Sequence, residues 1–193
     1  MKVILFNGPA SSGKDHAADL IVDEYYMETK HRRFKDRLFE ITSAVYGVPL
    51  EQLTGPLYER NMKEVPHDCF KGLSTRQALI KVSEDVIKPS LGHNYFGESL
   101  ADSLDSELTV VSDSGGWLAE LLPVVDRAGA ENILVVRVSR PGYTFEGDSR
   151  NYFKYRQLVD NGIEFVDLRN EGSLEEFEDK VLDITGDWLG SFK

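Results

Sequence analysis

The chain has 193 residues, 41% of them hydrophobic and 28% charged, so it is long enough to bury a full core and has ordinary globular composition. Its net charge of −11 excludes a general nucleic-acid-binding face, which needs a basic footprint, but leaves room for a local basic pocket around a phosphorylated small molecule. A single cysteine, Cys69, rules out an intrachain disulfide framework, and no apolar run reaches the length of a signal peptide or membrane span, so a cytoplasmic protein without a membrane partner is expected.

The first apolar run, Val3 to Phe6, is short, β-branched and ended by Asn7-Gly8, and reads as a buried strand. Helical spacing of Ala17, Ala18, Leu20, Ile21 and Tyr25 predicts a helix over Lys14–Tyr26. Between them lies Gly8-Pro9-Ala10-Ser11-Ser12-Gly13-Lys14-Asp15, a match to G-x-x-x-x-G-K-[ST] in every position but the last. The strand, tight loop and helix are the context a phosphate-binding loop needs. Backbone N–H groups can converge on an anion there, and the helix N-terminus adds about half a positive charge. Gly8 and Gly13 let the backbone approach phosphates, and Lys14 reaches the β- and γ-phosphates. Residues 8–15, with Gly8, Ser11, Ser12, Gly13, Lys14 and Asp15 named as contacts, are therefore expected around ATP. Asp15 stands where a hydroxyl would hold Mg²⁺; its carboxylate is a hard oxygen donor for the same ion.

A short second strand is expected near His31–Phe34, then an amphipathic helix from Lys35-Asp36 to Tyr46 that Gly47 and Pro49 stop. Residues 50–73 read as a short helix and loop. Ser74-Thr75 caps a helix over Arg76–Lys88 closed by Pro89, and Asn94–Leu104 forms another. Strands are predicted at Leu108–Asp113, Asn132–Val138 and Glu164–Leu168, with helices over Trp117–Ala128 and from Leu174 to about Leu189. Ser173 and Glu176 have capping-box spacing before the last helix. The polar, glycine-containing stretch 139–162 reads as a loop or lid. This alternation predicts a three-layer α/β/α sandwich: a mostly parallel sheet of about five strands, covered on both faces, with ligands outside the strands' C-terminal ends.

Basic residues gather at those ends: Lys35 and Arg37 after the second strand, Arg76 at a helix start, Arg137 and Arg140 after a strand, then Arg150, Lys154 and Arg156. Moving a phosphoryl group between nucleotides requires several cations to converge on donor, acceptor and transferring group. Asp113, ending an apolar strand, is placed to hold Mg²⁺ or orient the acceptor. Tyr95, Phe96 and Trp117 read as core aromatics rather than base-stacking ones. The four histidines lack metal-ligand spacing, and His16 reads as a helix-surface residue.

Gly8–Asp15 with Ala18-Asp19, Phe34–Leu38, Thr75–Leu79, Val111-Ser112-Asp113, Arg140-Pro141-Gly142 and Asn170–Glu176 occur in an order that resembles the bacteriophage-type deoxynucleoside monophosphate kinases. These are P-loop kinases distantly similar to phosphomevalonate kinase. The resemblance spans nearly the whole chain. It implies one nucleotide kinase domain over residues 1–193, with an acceptor region at about 35–100 and a small lid at about 141–160. It further implies Lys35 and Arg76 on the acceptor's 5′-phosphate, Asp113 on acceptor or metal, Arg140 on the donor nucleotide and Arg150 on the transferring phosphate. Lys14, Arg150 and Asp113 would be the catalytic set, and Asp15 and Asp113 the Mg²⁺ ligands. An aspartate after the loop lysine is usual in this family. An arginine two residues past the strand aspartate is also usual, and here that position is Gly115.

The reading expected from sequence is thus transfer of the ATP γ-phosphoryl group to a (deoxy)nucleoside 5′-monophosphate, in cytoplasm (a host's, if the protein is viral). The partners would be small-molecule nucleotides and no nucleic acid, and a homodimer is compatible with the sequence. Two alternatives stay open: a P-loop kinase for another small phosphorylated metabolite, and a nucleotide-binding protein without turnover.

Overall fold

A computed structural model describes residues 1–25 and 28–190. Five parallel strands form one sheet: β1 (Lys2–Asn7), β2 (Thr29–Arg32), β3 (Leu108–Ser114), β4 (Ile133–Ser139) and β5 (Glu164–Arg169), in the order β2-β3-β1-β4-β5. The period of two along β1 assigns its side chains to two cores. Ile4 and Phe6 pack with α1 (Lys14–Glu24) and α9 (Leu174–Gly190) through Ala17, Ala18, Ile21, Phe177, Val181 and Trp188. Val3 and Leu5 pack on the opposite face with Leu100 of α6 (Tyr95–Asp102), Leu121 and Val124 of α7 (Leu118–Ala128), and Leu158 of α8 (Tyr155–Val159). Covered on both faces, β1 is apolar from Val3 to Phe6, as a central parallel strand must be. This is the three-layer sandwich with a parallel five-stranded sheet. From β1 the chain crosses to β2 at the sheet edge, returns to β3 beside β1, then crosses to β4 on the other side, so a crevice opens between the C-terminal ends of β1 and β3.

Local structure departs from the sequence reading in four places. Strand β2 ends at Arg32, because the Phe34 and Lys35 N–H groups leave the ladder and donate to the Asp113 carboxylate at 2.8 and 3.3 Å. Pro89 does not end its helix. The chain runs from α4 (Thr75–Lys81) through a π-helical stretch (Val82–Ile87) into α5 (Lys88–Leu91), the wider turn absorbing the hydrogen bond that proline cannot make. Residues 50–73 carry a small core of their own, with Leu53 of α3 (Leu50–Thr54) and Phe70 buried against Phe39 of α2 (Asp36–Tyr46). The stretch read as a lid is part core: Phe153 and Leu158 are buried under the sheet. Tyr26, the expected end of α1, lies outside the described residues. The expected caps are present, Ser74 with Gln77 on α4 and Ser173 with Glu176 on α9. Among the described residues no helix is long and apolar enough to cross a membrane.

Candidate active site

The loop after β1 is built by packing as much as by its glycines. An ideal Cβ on Gly8 would lie 2.3 Å from the Val138 carbonyl oxygen, so only glycine lets β1 run out this close to β4. Gly13 caps α1 in the left-handed region at φ 108, and Ser11 also has positive φ at 62, a conformation rare for a side-chain-bearing residue. The loop carbonyls are tied to side chains: Arg140 donates to Ser11 O at 3.1 Å and Asn170 Nδ2 to Ser12 O at 2.8 Å. The first-turn N–H groups of α1, beyond reach of any helical carbonyl, are left for an anion. Lys14, only 6% exposed, folds back to donate to Pro9 O at 2.6 Å. Burial lowers its pKa to about 8, against the raising effect of Asp15. Asp15 is exposed and accepts the Ser112 hydroxyl on Oδ1 at 2.8 Å, and His31 Nε2 lies 2.8 Å behind that hydroxyl. Its Oδ2 has no hydrogen-bond partner among the described residues, which leaves one hard oxygen donor free.

Beside the loop lies a cavity of about 200 Å³ lined by Lys35, Arg76, Arg150, Asp113 and Asp148, with walls of Phe34, Leu38, Leu79, Phe96 and Trp117. Asp113 is set by the two backbone N–H groups named above, and Lys35 Nζ stands 4.0 Å from its Oδ2. Burial raises the Asp113 pKa, opposed by Lys35 and those N–H groups. Arg150 grips Asp148 through Nε at 2.9 and 3.1 Å and through its terminal nitrogen, and that hydrogen bonding lowers the Asp148 pKa. Arg76 donates to Glu64 at 2.6 Å and Lys35 lies over the Tyr58 ring at 5.3 Å. The structure therefore brings Lys35, Arg76, Asp113 and Arg150 to one cavity next to Lys14. Arg140 sits outside it, on the loop's carbonyls. Arg137 is turned to the other side of the sheet end, over the rings of Tyr155 and Tyr152 at 4.0 and 5.1 Å and 3.5 Å from Asp167. Arg37 pairs with Glu40 in a separate, larger cleft, where Arg33 is likewise tied to Asp36. His16 meets Glu178 at 2.6 Å on the helix surface.

Several residues at the site are missed by sequence reasoning. Phe96 and Trp117 line the cavity, whereas Tyr95 does not. A side chain at position 115 would run into the Trp117 ring at 2.5 Å, so that ring fills the space beside Gly115. Lys88 also lines the cavity, 5.2 Å over that ring and bonded to Glu84 at 2.6 Å. Asn7, completely buried, donates to Ser114 O and Asn151 O at 3.0 Å each and accepts from Phe153 N at 2.9 Å, stitching β1 to both flanks of the cavity. Glu120, on the first turn of α7, is 6% exposed and lines the cavity; burial and the nearby Asp113 raise its pKa to about 8, with Lys88 opposing. Its only sequence signal is an acidic residue in an otherwise apolar run, Leu118 to Val125.

No protein-family model matches the chain, and neither does any curated protein. Among solved structures it is similar to an unliganded sugar kinase from Janibacter sp. HTCC2649, at 11% identity over 98% of this chain and 95% of that one, with a TM-score of 0.48. It is also similar to shikimate kinases from Aquifex aeolicus (14% identity, 97% and 99%, 0.43) and from Acinetobacter baumannii in complex with shikimate (10%, 99% and 94%, 0.47). Identities and scores this low leave function to be argued from the site itself.

Proposed function

We propose that the protein is a Mg²⁺-dependent phosphotransferase that moves the γ-phosphoryl group of ATP to a (deoxy)nucleoside 5′-monophosphate, giving two diphosphates. The observation that carries this reading is the convergence of Lys14, Lys35, Arg76 and Arg150 around Asp113 where a phosphate loop opens into a ring-walled cavity. No protein nucleophile is required. An oxygen of the acceptor phosphate attacks the γ-phosphorus in line, the bond to the β-phosphate oxygen breaks, and ADP departs with that electron pair. Lys14 exchanges Pro9 O for the donor's phosphate oxygens, and the loop amides hold the rest of the tail. Lys35 and Arg76 hold the acceptor phosphate, and Arg150, released from Asp148, meets the transferring group. Arg140 stays on the donor side, where its contact with Ser11 O keeps the loop in shape.

The donor set suits Mg²⁺, which takes one or two carboxylates and completes its shell with phosphate oxygens and water. Among the described residues no cluster of three or more ligating side chains occurs, but Asp15 has a free oxygen and Asp113 has lone pairs beyond its two backbone bonds. Those two residues would hold the ion, which would supply positive charge to neutralise the donor's phosphates. The test is coupled ADP release across all ribo- and deoxynucleoside monophosphates. Turnover with at least one of them, lost in Lys14→Ala and on chelation of Mg²⁺, is expected. Absence of turnover above the Lys14→Ala background with every monophosphate would refute the reading.

A further inference from the structure

Four carboxyl groups line the cavity, and three are engaged. Asp113 accepts two backbone N–H groups, Asp148 holds Arg150, and Glu84 holds Lys88. The fourth, Glu120, makes no side-chain hydrogen bond or ion pair among the described residues although it is 94% buried, and it lines the cavity. A buried carboxyl without a partner is destabilising, and one kept for structure would carry its partner within the protein. The backbone that carries it is held in place. Gly97 of α6 presses so closely on α7 that a Cβ there would lie 2.2 Å from Glu120 O, and Glu120 N is bonded to Trp117 O at 3.1 Å.

Charge gives the cavity a direction. Lys14 feels Arg150, Lys35 and Asp113, whereas Glu120 feels Asp113, Lys88 and Glu84. Asp113 therefore stands between a cationic end beside the phosphate loop and an end carrying two glutamates. At the second end Lys88 offsets Glu84 and burial keeps Glu120 protonated, so a phosphate is drawn to the cationic end, and an acceptor anchored there by Lys35 and Arg76 points its other end at Glu120. The walls on the way, Phe34, Phe96 and Trp117, suit a flat ring.

We propose that Glu120 is a specificity-determining residue of the acceptor pocket, accepting a hydrogen bond from the exocyclic amino group of a nucleobase and so favouring amino-bearing acceptors over their counterparts without it. This rests on the phosphotransferase reading above. A site with a buried polar group built to receive a donor rejects the ligand that lacks one, because the group is then left unpaired.

The experiment is a cycle between protein and ligand. Calorimetry with saturating non-hydrolysable ATP analogue measures the affinity of dAMP, dCMP and dGMP, and of purine deoxyriboside 5′-monophosphate, dUMP and dIMP. The proteins are the unsubstituted chain, Glu120→Leu and Glu120→Gln. In the unsubstituted chain at least one amino-bearing monophosphate is expected to bind tenfold or more tightly than its amino-free partner. In Glu120→Leu that ratio falls to about twofold through loss on the amino-bearing side, and in Glu120→Gln, which keeps an accepting oxygen, it lies between. Affinity for the ATP analogue stays unchanged, and Glu120→Leu melts at or above the unsubstituted chain. An unchanged ratio in Glu120→Leu overturns the inference and leaves the kinase reading standing, as does a variant that melts far lower or fails to fold, since the carboxyl is then structural. No binding of any monophosphate to the unsubstituted chain overturns both.

Discussion

Replacing Asn7 by alanine tests whether the site is held from below by one buried amide. The substitution removes three hydrogen bonds, two donated to Ser114 O and Asn151 O and one accepted from Phe153 N. At about 1 kcal/mol each these sum to roughly 3 kcal/mol, and the Phe153 N–H, left unpaired inside the protein, adds on the order of 1 kcal/mol or more. A loss of about 4 kcal/mol lowers the melting temperature of a domain this size by roughly 8–16 °C. Urea denaturation and calorimetry measure both. Asn7→Asp is the sharper control. It keeps an acceptor for Phe153 but turns a carboxylate oxygen toward two carbonyl oxygens, so it should be at least as damaging as alanine. The same bonds fasten the loop carrying Trp117 and the segment after Arg150, so in surviving Asn7→Ala protein acceptor KM should rise more than ATP KM. A loss below about 1 kcal/mol, or a well-tolerated aspartate, would refute the reasoning.

Gly8→Ala forces a methyl to within 2.3 Å of Val138 O and should cost about 1–3 kcal/mol by denaturation while weakening ATP-analogue binding, in contrast to Gly190→Ala, where no atom lies within 4 Å and φ is not positive. Glu120→Gln should change the pH dependence of stability: the native carboxyl holds its proton up to about 8 against an ordinary 4.5, so its stabilising share is full below 4.5 and lost as pH rises to 8. The unsubstituted chain should therefore lose stability relative to Glu120→Gln between pH 5 and 8, with a ceiling of roughly 5 kcal/mol at 1.36 kcal/mol per pH unit, and parallel curves would refute that burial. Ser112→Ala removes the hydroxyl that orients Asp15 and should raise the Mg²⁺ concentration for half-maximal turnover severalfold, at a stability cost of about 1 kcal/mol because the buried hydroxyl also meets His31.

What could be read from sequence was local. The phosphate loop is eight consecutive residues between a strand and a helix, so its spacing and its context lie in one window, and Asp113 is marked by ending an apolar run. The residues that were not legible are defined by contacts across the chain. Glu120 looks like one polar residue on an amphipathic helix, and only the approach of Gly97 and the cavity wall make it a buried carboxyl. Trp117 and Phe96 carry the same signal as core aromatics until the path of α7 places them on a cavity. Phe153 and Leu158 are isolated apolar residues in a polar stretch without helical or strand period, so their burial had no signature. Asn7 reads as a turn residue after a strand, yet its partners are 107 to 146 positions away.

The same logic accounts for how an acidic chain keeps a cationic site ready. Each cation that the proposed reaction uses is held by an oxygen of the protein: Lys14 by Pro9 O, Arg140 by Ser11 O, Arg76 by Glu64, Arg150 by Asp148, with Lys35 facing Asp113. The partners differ in what their release requires. Arg76 and Glu64 are solvent-exposed, so their pair is worth at most about 1 kcal/mol and yields readily to a phosphate. Lys14 is buried against a neutral carbonyl, which compensates its charge poorly; a polyphosphate compensates it better, so binding gains there what folding gives up. Arg150 lies between these cases, bidentate to a carboxylate that is itself partly shielded. In the proposed reaction its transfer from Asp148 to a phosphoryl group would leave a carboxylate beside incoming negative charge, a cost that two phosphates outweigh better than one.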